Sequence, residues 1–204
     1  MVDPAVEQFV HASLPHPPAR VLEVGAGSGE LARLLAGLGY DVVAIDPGGE
    51  GDVLPVPLVE IDGPAGSFDA AVAVVSLHHV KPLEPSCRRL AEVVRPGGAL
   101  VVDEFDVERF DERAAGWLLE EWRRAGRERE LTAREMVDEY RAELHPLTTI
   151  VGVLSAWFEF GPVTRCSYLY RWYLGEELRA AEEALIAGGG LPEVGARLVA
   201  TRRG

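Results

Sequence analysis

The chain has 204 residues, of which 48% are hydrophobic, and a formal net charge of −13 at pH 7. This length suits one domain, and this share of hydrophobic residues is ample for a packed core, which excludes a generally disordered chain. A negative field of this size repels phosphates at long range, so the composition argues against nucleic acid or an anionic membrane as a partner.

The cysteines and the N-terminal segment bear on the compartment. Cys87 and Cys166 are too few and too far apart for a disulfide framework or a zinc site, and they predict buried free thiols in a reducing compartment. Residues 1–19 have neither the basic nor the apolar region of a signal peptide. The longest apolar stretch, 70–75, is far short of the ~20 residues that span a bilayer. We therefore expect a soluble, cytoplasmic protein.

Hydrophobic spacing and turn residues divide the chain into strands and helices. In chain order we predict a helix over 3–14, a strand over 20–24, a helix after a glycine cluster, strands over 41–46, 56–61 and 68–77, a helix over 84–94 and a strand over 99–102. Helices over 110–129, 132–144 and 147–160 follow, then a strand over 163–173, a helix over 176–187 and a strand over 194–201. Strand–helix–strand units are typical of an α/β fold with a parallel sheet.

A glycine cluster joins the first strand to the next helix. Gly25, Gly27 and Gly29 alternate with Ala26 and Ser28. Such a turn allows unusual backbone angles and lets a ligand approach the main chain, and the helix amides behind it favour groups that accept hydrogen bonds. The cluster therefore predicts a cofactor site.

An acid, Asp46, ends the predicted second strand. The spacing of the glycines then tests whether the cofactor is a dinucleotide. Asp46 can accept hydrogen bonds from both hydroxyls of a ribose. In the dinucleotide fingerprint G-x-G-x-x-G, counted from Gly25 and Gly27, the third glycine place is occupied by Glu30. Glu23 and Glu30 would also lie near the pyrophosphate, which is electrostatically unfavourable. The spacing disfavours a nucleotide-dependent oxidoreductase, which stays open as an alternative.

Four segments of the first half form an ordered set of motifs: Val21–Gly29 at the glycine cluster, Asp46 after the second strand, Phe68–Val80 through the fourth strand and Arg95–Leu100 before the fifth. In this order they resemble the motifs of the class I S-adenosylmethionine-dependent methyltransferases, in particular the members that act on small molecules. The resemblance covers residues 20–104. It implies an α/β fold with a Rossmann-like sheet of seven mostly parallel strands, flanked by helices, with the last strand antiparallel.

The resemblance also implies S-adenosylmethionine as the cofactor. In this family the glycine turn cradles the amino-acid part and the acid at Asp46 holds the ribose. Glu23 fits the same ligand, because a carboxylate in a buried strand is expensive without a partner, and the cofactor carries a sulfonium and an ammonium group. The predicted cofactor-binding residues are Glu23, Gly25, Ala26, Gly27, Ser28, Gly29, Asp46, Pro47, Asp62, Ser76 and Leu77.

One segment departs from the family pattern. The helix that family members have between the second and third strands is replaced by Pro47–Gly51. Asp62 is the only nearby candidate for the acid that meets the adenine amino group. It could equally cap the turn at Gly63 and Pro64.

Two adjacent histidines follow the fourth strand. On an extended chain His78 and His79 point to opposite sides, so at most one can face the reacting methyl group. His78 is the candidate catalytic base, since histidine suits proton removal near neutral pH; the alternative is that both histidines only pack and hydrogen-bond beside the cofactor. With Asp103 and Glu104 they could form a metal ligand set, but adjacent residues rarely chelate together, and we predict no metal.

These observations predict a single methyltransferase domain over 1–204 that transfers a methyl group to a small, partly apolar or aromatic acceptor. Its predicted parts are an N-terminal helix or cap over 1–19, a cofactor-binding half over 20–104, a helical substrate-covering segment over 105–160 and final strands over 161–204. The alternative, besides the oxidoreductase, is a catalytically weak module that binds S-adenosylmethionine. The sequence makes no prediction of the oligomeric state.

Overall fold

A computed structural model of the protein describes residues 2–127, 129–172 and 174–204. Its helices are α1 (Pro4–Ser13), α2 (Glu30–Gly37), α3 (Leu83–Val93), α4 (Glu112–Arg124), α5 (Ala133–Glu143), α6 (Leu147–Leu154) and α7 (Arg179–Ala187). Its strands are β1 (Arg20–Val24), β2 (Asp41–Ile45), β3 (Val53–Leu54), β4 (Phe68–Val74), β5 (Val94–Phe105), β6 (Phe158–Phe160), β7 (Thr164–Cys166) and β8 (Gly195–Arg202). Glu128 and Tyr173, which fall within a predicted helix and a predicted strand, lie outside the described residues.

The strands form one sheet in the order β3-β2-β1-β4-β5-β8-β6, with β7 also paired to β8. The pairs β1–β2, β1–β4, β2–β3 and β4–β5 are parallel, whereas β6 and β8 run antiparallel. This topology confirms the predicted α/β class, with a mostly parallel sheet and an antiparallel last strand. Because β1, β2, β4 and β5 are parallel, their carboxyl ends meet at one edge of the sheet, where ligands of open α/β sheets bind.

The sheet has eight strands among the described residues, where seven were predicted. The additional strand lies in the predicted helix 147–160, which ends at Leu154 and is followed by β6. In β6 the buried Phe158 and the half-buried Phe160 flank an exposed Glu159, which is the two-residue alternation of a strand. The predicted strand 163–173 is also shorter than expected, because β7 ends at Cys166 and a 3-10 helix follows over Leu169–Arg171.

The predicted third strand over 56–61 is wrong. That segment contains a 3-10 helix, Leu58–Glu60, and the strand that pairs with β2 is the short β3 before it. Pro55 and Pro57 explain the difference, since proline has no main-chain N–H to donate to a ladder of hydrogen bonds. An irregular segment therefore stands at the carboxyl end of β2.

The chain divides into two compact units, of which the first is Met1–Glu104, Thr148–Val163 and Arg197–Gly204. In this unit α1 and α2 share one buried cluster with residues of β1, β4 and β5. Asp3 fixes the start of α1, because its carboxylate accepts hydrogen bonds from the main-chain N–H groups of Ala5 and Val6 at 2.8 and 3.2 Å. The packing of α2 sets the position of the glycine turn that precedes it. The apolar residues of this cluster are Val6, Val10, Leu14, Ala19, Val21, Leu31, Leu35, Tyr40, Ala70, Val72 and Val101.

The second unit is Phe105–Leu147 and Thr164–Ala196. Its core contains a cluster of aromatic rings that centres on the fully buried Phe105. The ring of Phe105 stacks on Tyr168 at 5.3 Å and lies 4.7 Å from that of Trp172, measured between centroids. Whether the two units form the single domain predicted over 1–204 stays a prediction.

Two further observations bear on the sequence predictions. Within the residues described, no helix is both long and apolar enough to cross a membrane. Cys87 and Cys166 are free thiols, and burial raises the pKa of Cys87 to about 12, which leaves it protonated and unreactive. Cys166 was predicted to be buried, but it is only partly buried at the end of β7.

Candidate functional site

The glycine turn between β1 and α2 depends on backbone angles that side chains disfavour. Gly25, Gly27 and Gly29 have φ angles of 71°, 51° and 73°. A Cβ atom on Gly25 would overlap the Cβ of Ser76, so the turn also needs glycine there for lack of space. The main-chain N–H of Gly25 donates to the carbonyl of Ile45 at 2.8 Å, which ties the turn to the end of β2. The result is a turn with little side chain between its backbone and a ligand.

Asp46 holds the other side of this turn. One oxygen of its carboxylate accepts a hydrogen bond from the main-chain N–H of Gly27 at 3.0 Å, and the other accepts one from Gly48 at 2.8 Å. Asp46 directly follows β2 and is half-buried. The acid therefore organises both the glycine turn and the Pro47–Gly51 segment that replaces the missing helix.

A cavity of about 350 Å³ opens at the carboxyl ends of these strands. Its volume lies at the lower end of the range that holds small ligands and cofactors. All of its lining residues belong to the first compact unit. They are Val24, Gly25, Ile45, Asp46, Pro47, Val56, Pro57, Leu58, Val75, Ser76, His79, Val80, Lys81 and Ser86.

The structure brings together part of the predicted cofactor-binding set. The members that line the cavity are Gly25, Asp46, Pro47 and Ser76. Ala26, Gly27, Ser28 and Gly29 complete the glycine turn beside it, and Arg33 donates to the carbonyl of Ser28 at 2.9 Å. Leu77 is fully buried after β4, and Glu23 is buried within β1. Asp62 is exposed in the loop after Leu58–Glu60, outside the cavity lining.

Glu23 is a buried carboxylate with an unmatched oxygen. Its exposed fraction is 4%, and its Oε2 atom has no hydrogen-bond partner among the described residues. Burial raises its pKa from 4.5 to about 7, against the smaller lowering effects of the Ala32 main-chain N–H and the Arg33 charge. Near physiological pH a nearby cation would favour the charged form of such a carboxyl group, and without one much of it is neutral.

The turn after β4 forms a wall of the cavity. β4 ends at Val74, and Val75 then adopts a φ of 52°, which is unusual for a β-branched residue. A 3-10 helix follows over Leu77–His79. The Ser76 side chain precedes it, with its Oγ atom buried and without a partner among the described residues. Two buried polar atoms, in Ser76 and Glu23, are thus unmatched near the glycine turn.

The two histidines of this turn have different surroundings. His78 is 3% exposed and its Nδ1 atom is hydrogen-bonded to Oε2 of Glu104, whereas His79 is exposed and lines the cavity. Their ring centroids are 4.3 Å apart with an interplanar angle of 50°. The expectation that they point to opposite sides assumed an extended chain. The structure replaces it with a 3-10 helix, because the chain turns at Val75.

Asp103 and Glu104, which with the two histidines could form a metal ligand set, have other partners. Asp103 pairs with Arg197 at 2.8 Å, and Glu104 accepts main-chain hydrogen bonds from the turn after β4. Over the described ranges, no group of three or more His, Cys, Asp or Glu side chains is placed to hold a metal ion.

Much of the cavity lining could not be predicted from the sequence. The segment Val56–Leu58 was predicted to be a strand, and Val80, Lys81 and Ser86 were not predicted to contribute. Lys81 offered a signal, since it is the only lysine in the chain and follows the fourth-strand motif. The role of Glu104 could not be recognised, because its partners are 26 to 28 residues away in sequence.

Comparison with known proteins gives a consistent picture. A family model described as "Methyltransferase domain" matches residues 3–143. Demethylmenaquinone methyltransferase of Beutenbergia cavernae is 37% identical over 100 residues, which are 44% of this chain and 42% of that protein. Ubiquinone biosynthesis O-methyltransferase of Methylocella silvestris is 32% identical over 105 residues, 44% and 41% of the two chains. The matches therefore span less than half the length of these curated relatives.

A solved structure extends the likeness over the whole chain at the level of the fold. The S-adenosylmethionine dependent methyltransferase of Mesorhizobium loti superimposes with a TM-score of 0.61 at 17% identity, covering 95% of each chain. The family model covers most of this chain, so it establishes the family. The chain belongs to the methyltransferase domain family.

Proposed function

We propose that the cavity binds S-adenosylmethionine and that the protein transfers its methyl group to a small molecule. The observation that carries this proposal is the meeting of Gly25, Asp46 and Ser76 at one cavity of about 350 Å³. A bare glycine main chain, an acid suited to a ribose and a buried unmatched hydroxyl are the groups that a nucleoside with an amino-acid tail would use.

The described residues fit the cofactor in charge and in shape. Asp46 would accept hydrogen bonds from the ribose hydroxyls, and the amino-acid part would lie along Gly25, where a Cβ atom has no room. Glu23 would be held in its charged form by the cofactor's ammonium group, since its burial otherwise favours the neutral acid. Ser76 Oγ would gain the hydrogen bond that it lacks among the described residues.

The adenine ring would rest on apolar residues rather than on an acid. Val56, Pro57 and Leu58 line the cavity together, and Ser86 is buried beside them. Asp62, which the sequence offered for the adenine amino group, is exposed in a loop outside this lining. Stacking and exclusion of water would then supply most of the binding energy at this end.

Bound S-adenosylmethionine supplies an electrophilic methyl group on a sulfonium. The chain's own contribution would be to hold that group and the acceptor in line and to exclude water, which is where most of the rate enhancement would arise. His78 stays a predicted base. Its burial and its bond to Glu104 favour a supporting role, whereas His79 lines the cavity directly.

The acceptor would be a small, partly apolar or aromatic molecule. Two relatives are named for demethylmenaquinone and for ubiquinone biosynthesis, which supports a small-molecule acceptor. Recognition would fall to the segment 105–160, which the sequence predicts to cover the substrate. We also infer a cytoplasmic location and no nucleic-acid partner, supported by the free thiols and the charge of −13.

Isothermal titration with S-adenosylmethionine tests the proposal. We expect saturable binding to the wild type and a loss of affinity of about tenfold to a hundredfold in Asp46→Asn, because a charged acceptor for the ribose is lost. Asp52→Asn is the matched control, since Asp52 is an exposed acid nearby that does not line the cavity. Absence of wild-type binding, or equal binding by both variants, would contradict the proposal.

The alternatives predict different results in the same titrations. Saturable binding of NAD(H) in place of S-adenosylmethionine would indicate an oxidoreductase. Tight binding of S-adenosylmethionine without turnover, across a panel of phenols, quinols and small amines, would indicate a module that binds the cofactor without transfer.

A further inference from the structure

Glu104 is the next-to-last residue of β5, and both oxygens of its fully buried carboxylate have hydrogen-bond partners. Its Oε1 atom accepts the main-chain N–H groups of Ser76 and Leu77 at 2.9 and 2.6 Å. Its Oε2 atom is hydrogen-bonded to Nδ1 of His78. A single side chain from β5 thus binds three consecutive residues that follow β4.

The hydrogen bonds of Glu104 stabilise a turn that is unfavourable by itself. The chain leaves β4 through Val75, whose φ of 52° is unfavourable for a β-branched residue. The N–H groups that begin a 3-10 helix have no partner within it, and at Ser76 and Leu77 they are buried. Without the carboxylate these donors would have no hydrogen-bond partner. Glu104 therefore stabilises this conformation of the turn.

The same turn borders the cavity described above. Ser76 and His79 line it, and Ser76 packs so closely on the glycine turn that Gly25 has no room for a Cβ atom. A displacement of the turn would therefore move the unmatched Ser76 hydroxyl and the surface that faces Gly25. The side chain of Glu104 is not itself part of the cavity lining.

We propose that Glu104 is a positioning residue of the cofactor site: through the main chain of Ser76 and Leu77 and the ring of His78, it holds the wall that faces the glycine turn in its ligand-binding arrangement. This inference rests on the proposed function, because the ligand in question is S-adenosylmethionine or its demethylated product, S-adenosylhomocysteine.

The structure supplies a matched control for the test. Glu182 in the second unit is also fully buried and accepts the main-chain N–H groups of Tyr168, Leu169 and Tyr170 at 2.8 to 3.0 Å. It holds another 3-10 helix, Leu169–Arg171, whose residues are not part of the cavity lining. Glu104→Ala and Glu182→Ala remove the same chemistry from two different turns.

The experiment is calorimetric titration of both variants and the wild type with S-adenosylmethionine and with S-adenosylhomocysteine, alongside thermal unfolding. We expect both variants to unfold at lower temperature, and only Glu104→Ala to lose affinity, by about tenfold or more for both ligands. Equal affinities in the two variants would overturn the proposal. A wild type that binds neither ligand would instead refute the proposed function.

Two milder variants keep the test decisive if Glu104→Ala does not fold. Glu104→Asp keeps the charge but withdraws it by one methylene, and we expect a loss of affinity of about threefold to tenfold. Glu104→Gln keeps an oxygen for the two main-chain donors and should recover most of the affinity. Wild-type affinity in Glu104→Asp, or a loss in Glu104→Gln as large as in Glu104→Asp, would contradict the positioning role.

Glu104→Gln also gives a spectroscopic signature at His78. An ionised carboxylate at Oε2 requires the proton of the ring to be on Nδ1, whereas the amide group of glutamine would donate to Nδ1 and move the proton to Nε2. Nitrogen-15 chemical shifts of the imidazole distinguish the two tautomers. We expect the tautomer to change in Glu104→Gln, and an unchanged tautomer would show that Glu104 does not orient the ring.

Discussion

Two turns, one in each compact unit, are built in nearly the same way. In the first unit Ser76 precedes a 3-10 helix with backbone angles of φ −134° and ψ −38°, and in the second Tyr168 precedes one with φ −152° and ψ −36°. A fully buried glutamate, Glu104 or Glu182, accepts the main-chain N–H groups at the start of each turn. The local device is the same in both.

The turns differ in what their glutamates bind besides the main chain and in what lies beside them. Within the described part of the chain, Glu182 accepts hydrogen bonds only from main-chain N–H groups, and the turn it holds contributes to a packed aromatic core. Glu104 also binds a histidine, and its turn faces a glycine turn across a cavity, with a buried hydroxyl left unmatched among the described residues. A buried carboxylate on a turn therefore does not by itself indicate a ligand site, and the feature that distinguishes the turn held by Glu104 is the glycine turn across the cavity.

The largest expected effect comes from filling the space between the two turns of the first unit. Gly25→Ala should weaken the binding of S-adenosylmethionine by about a hundredfold, because the new Cβ overlaps Ser76 and must push the two walls apart. Gly189→Ala in the second unit is the control. Gly189 has a φ of 73°, against 71° for Gly25, and nothing within the described chain lies within 4 Å of an added Cβ.

Both glycine variants should lose about 1 kcal/mol of unfolding free energy for the left-handed backbone, with a further loss in Gly25→Ala for the overlap. Calorimetric titration and chemical denaturation measure the two effects separately. We expect only Gly25→Ala to weaken cofactor binding. An equal loss of affinity in Gly189→Ala would contradict the prediction that the effect depends on the space beside Ser76.

A third buried glutamate, Glu23, sharpens the comparison, because one of its carboxylate oxygens has no hydrogen-bond partner among the described residues. The pKa of Glu23 is raised by burial from 4.5 to about 7, so between these values the folded protein binds more protons than the unfolded chain, and stability falls as pH rises. Glu23→Gln should therefore be more stable than the wild type by about 3 kcal/mol at pH 8 and by about 1 kcal/mol at pH 5.

Chemical denaturation at the two pH values checks this prediction, with the exposed Glu50→Gln expected to change stability by less than about 0.5 kcal/mol at either. The same Glu23→Gln change should weaken the binding of the cationic cofactor. If the ligand-free Glu23→Gln protein is less stable than the wild type at pH 8, the charged form of Glu23 must be stabilised by hydrogen bonds, as Glu104 and Glu182 are.

The smallest expected effect concerns the serines beside the two turns. Ser76 and Ser167 are each 8% exposed, but Ser76 Oγ is unmatched among the described residues whereas Ser167 Oγ donates to Glu183 at 3.3 Å. Ser76→Ala should lower the affinity for S-adenosylmethionine by about fivefold, which corresponds to one hydrogen bond, and Ser167→Ala should leave it unchanged. Titration of both variants decides whether the Ser76 hydroxyl meets the ligand, since equal affinities would show that it does not.

Several features of the site could be predicted because they depend on neighbours in sequence. Gly25 and Gly27 predict a turn that other residues disfavour, and Asp46 directly follows a strand whose pairing is predicted by the order of the elements. The role of Asp62 stays a prediction, since this acid lies in an exposed loop outside the cavity lining. The prolines at 55 and 57, which break the predicted third strand, were the local sign of that irregularity.

The sequence by itself determined the α/β alternation, the glycine turn and the family, because periodicity, turn chemistry and short motifs are properties of contiguous residues. Only the tertiary structure decided which side chains share the cavity. Parallel strands bring their carboxyl ends to one edge, so Gly25, Asp46 and Ser76 meet there although they are far apart in the chain. The contacts of Glu104 also depend on the tertiary structure, since its partners reach it only when β4 and β5 lie side by side.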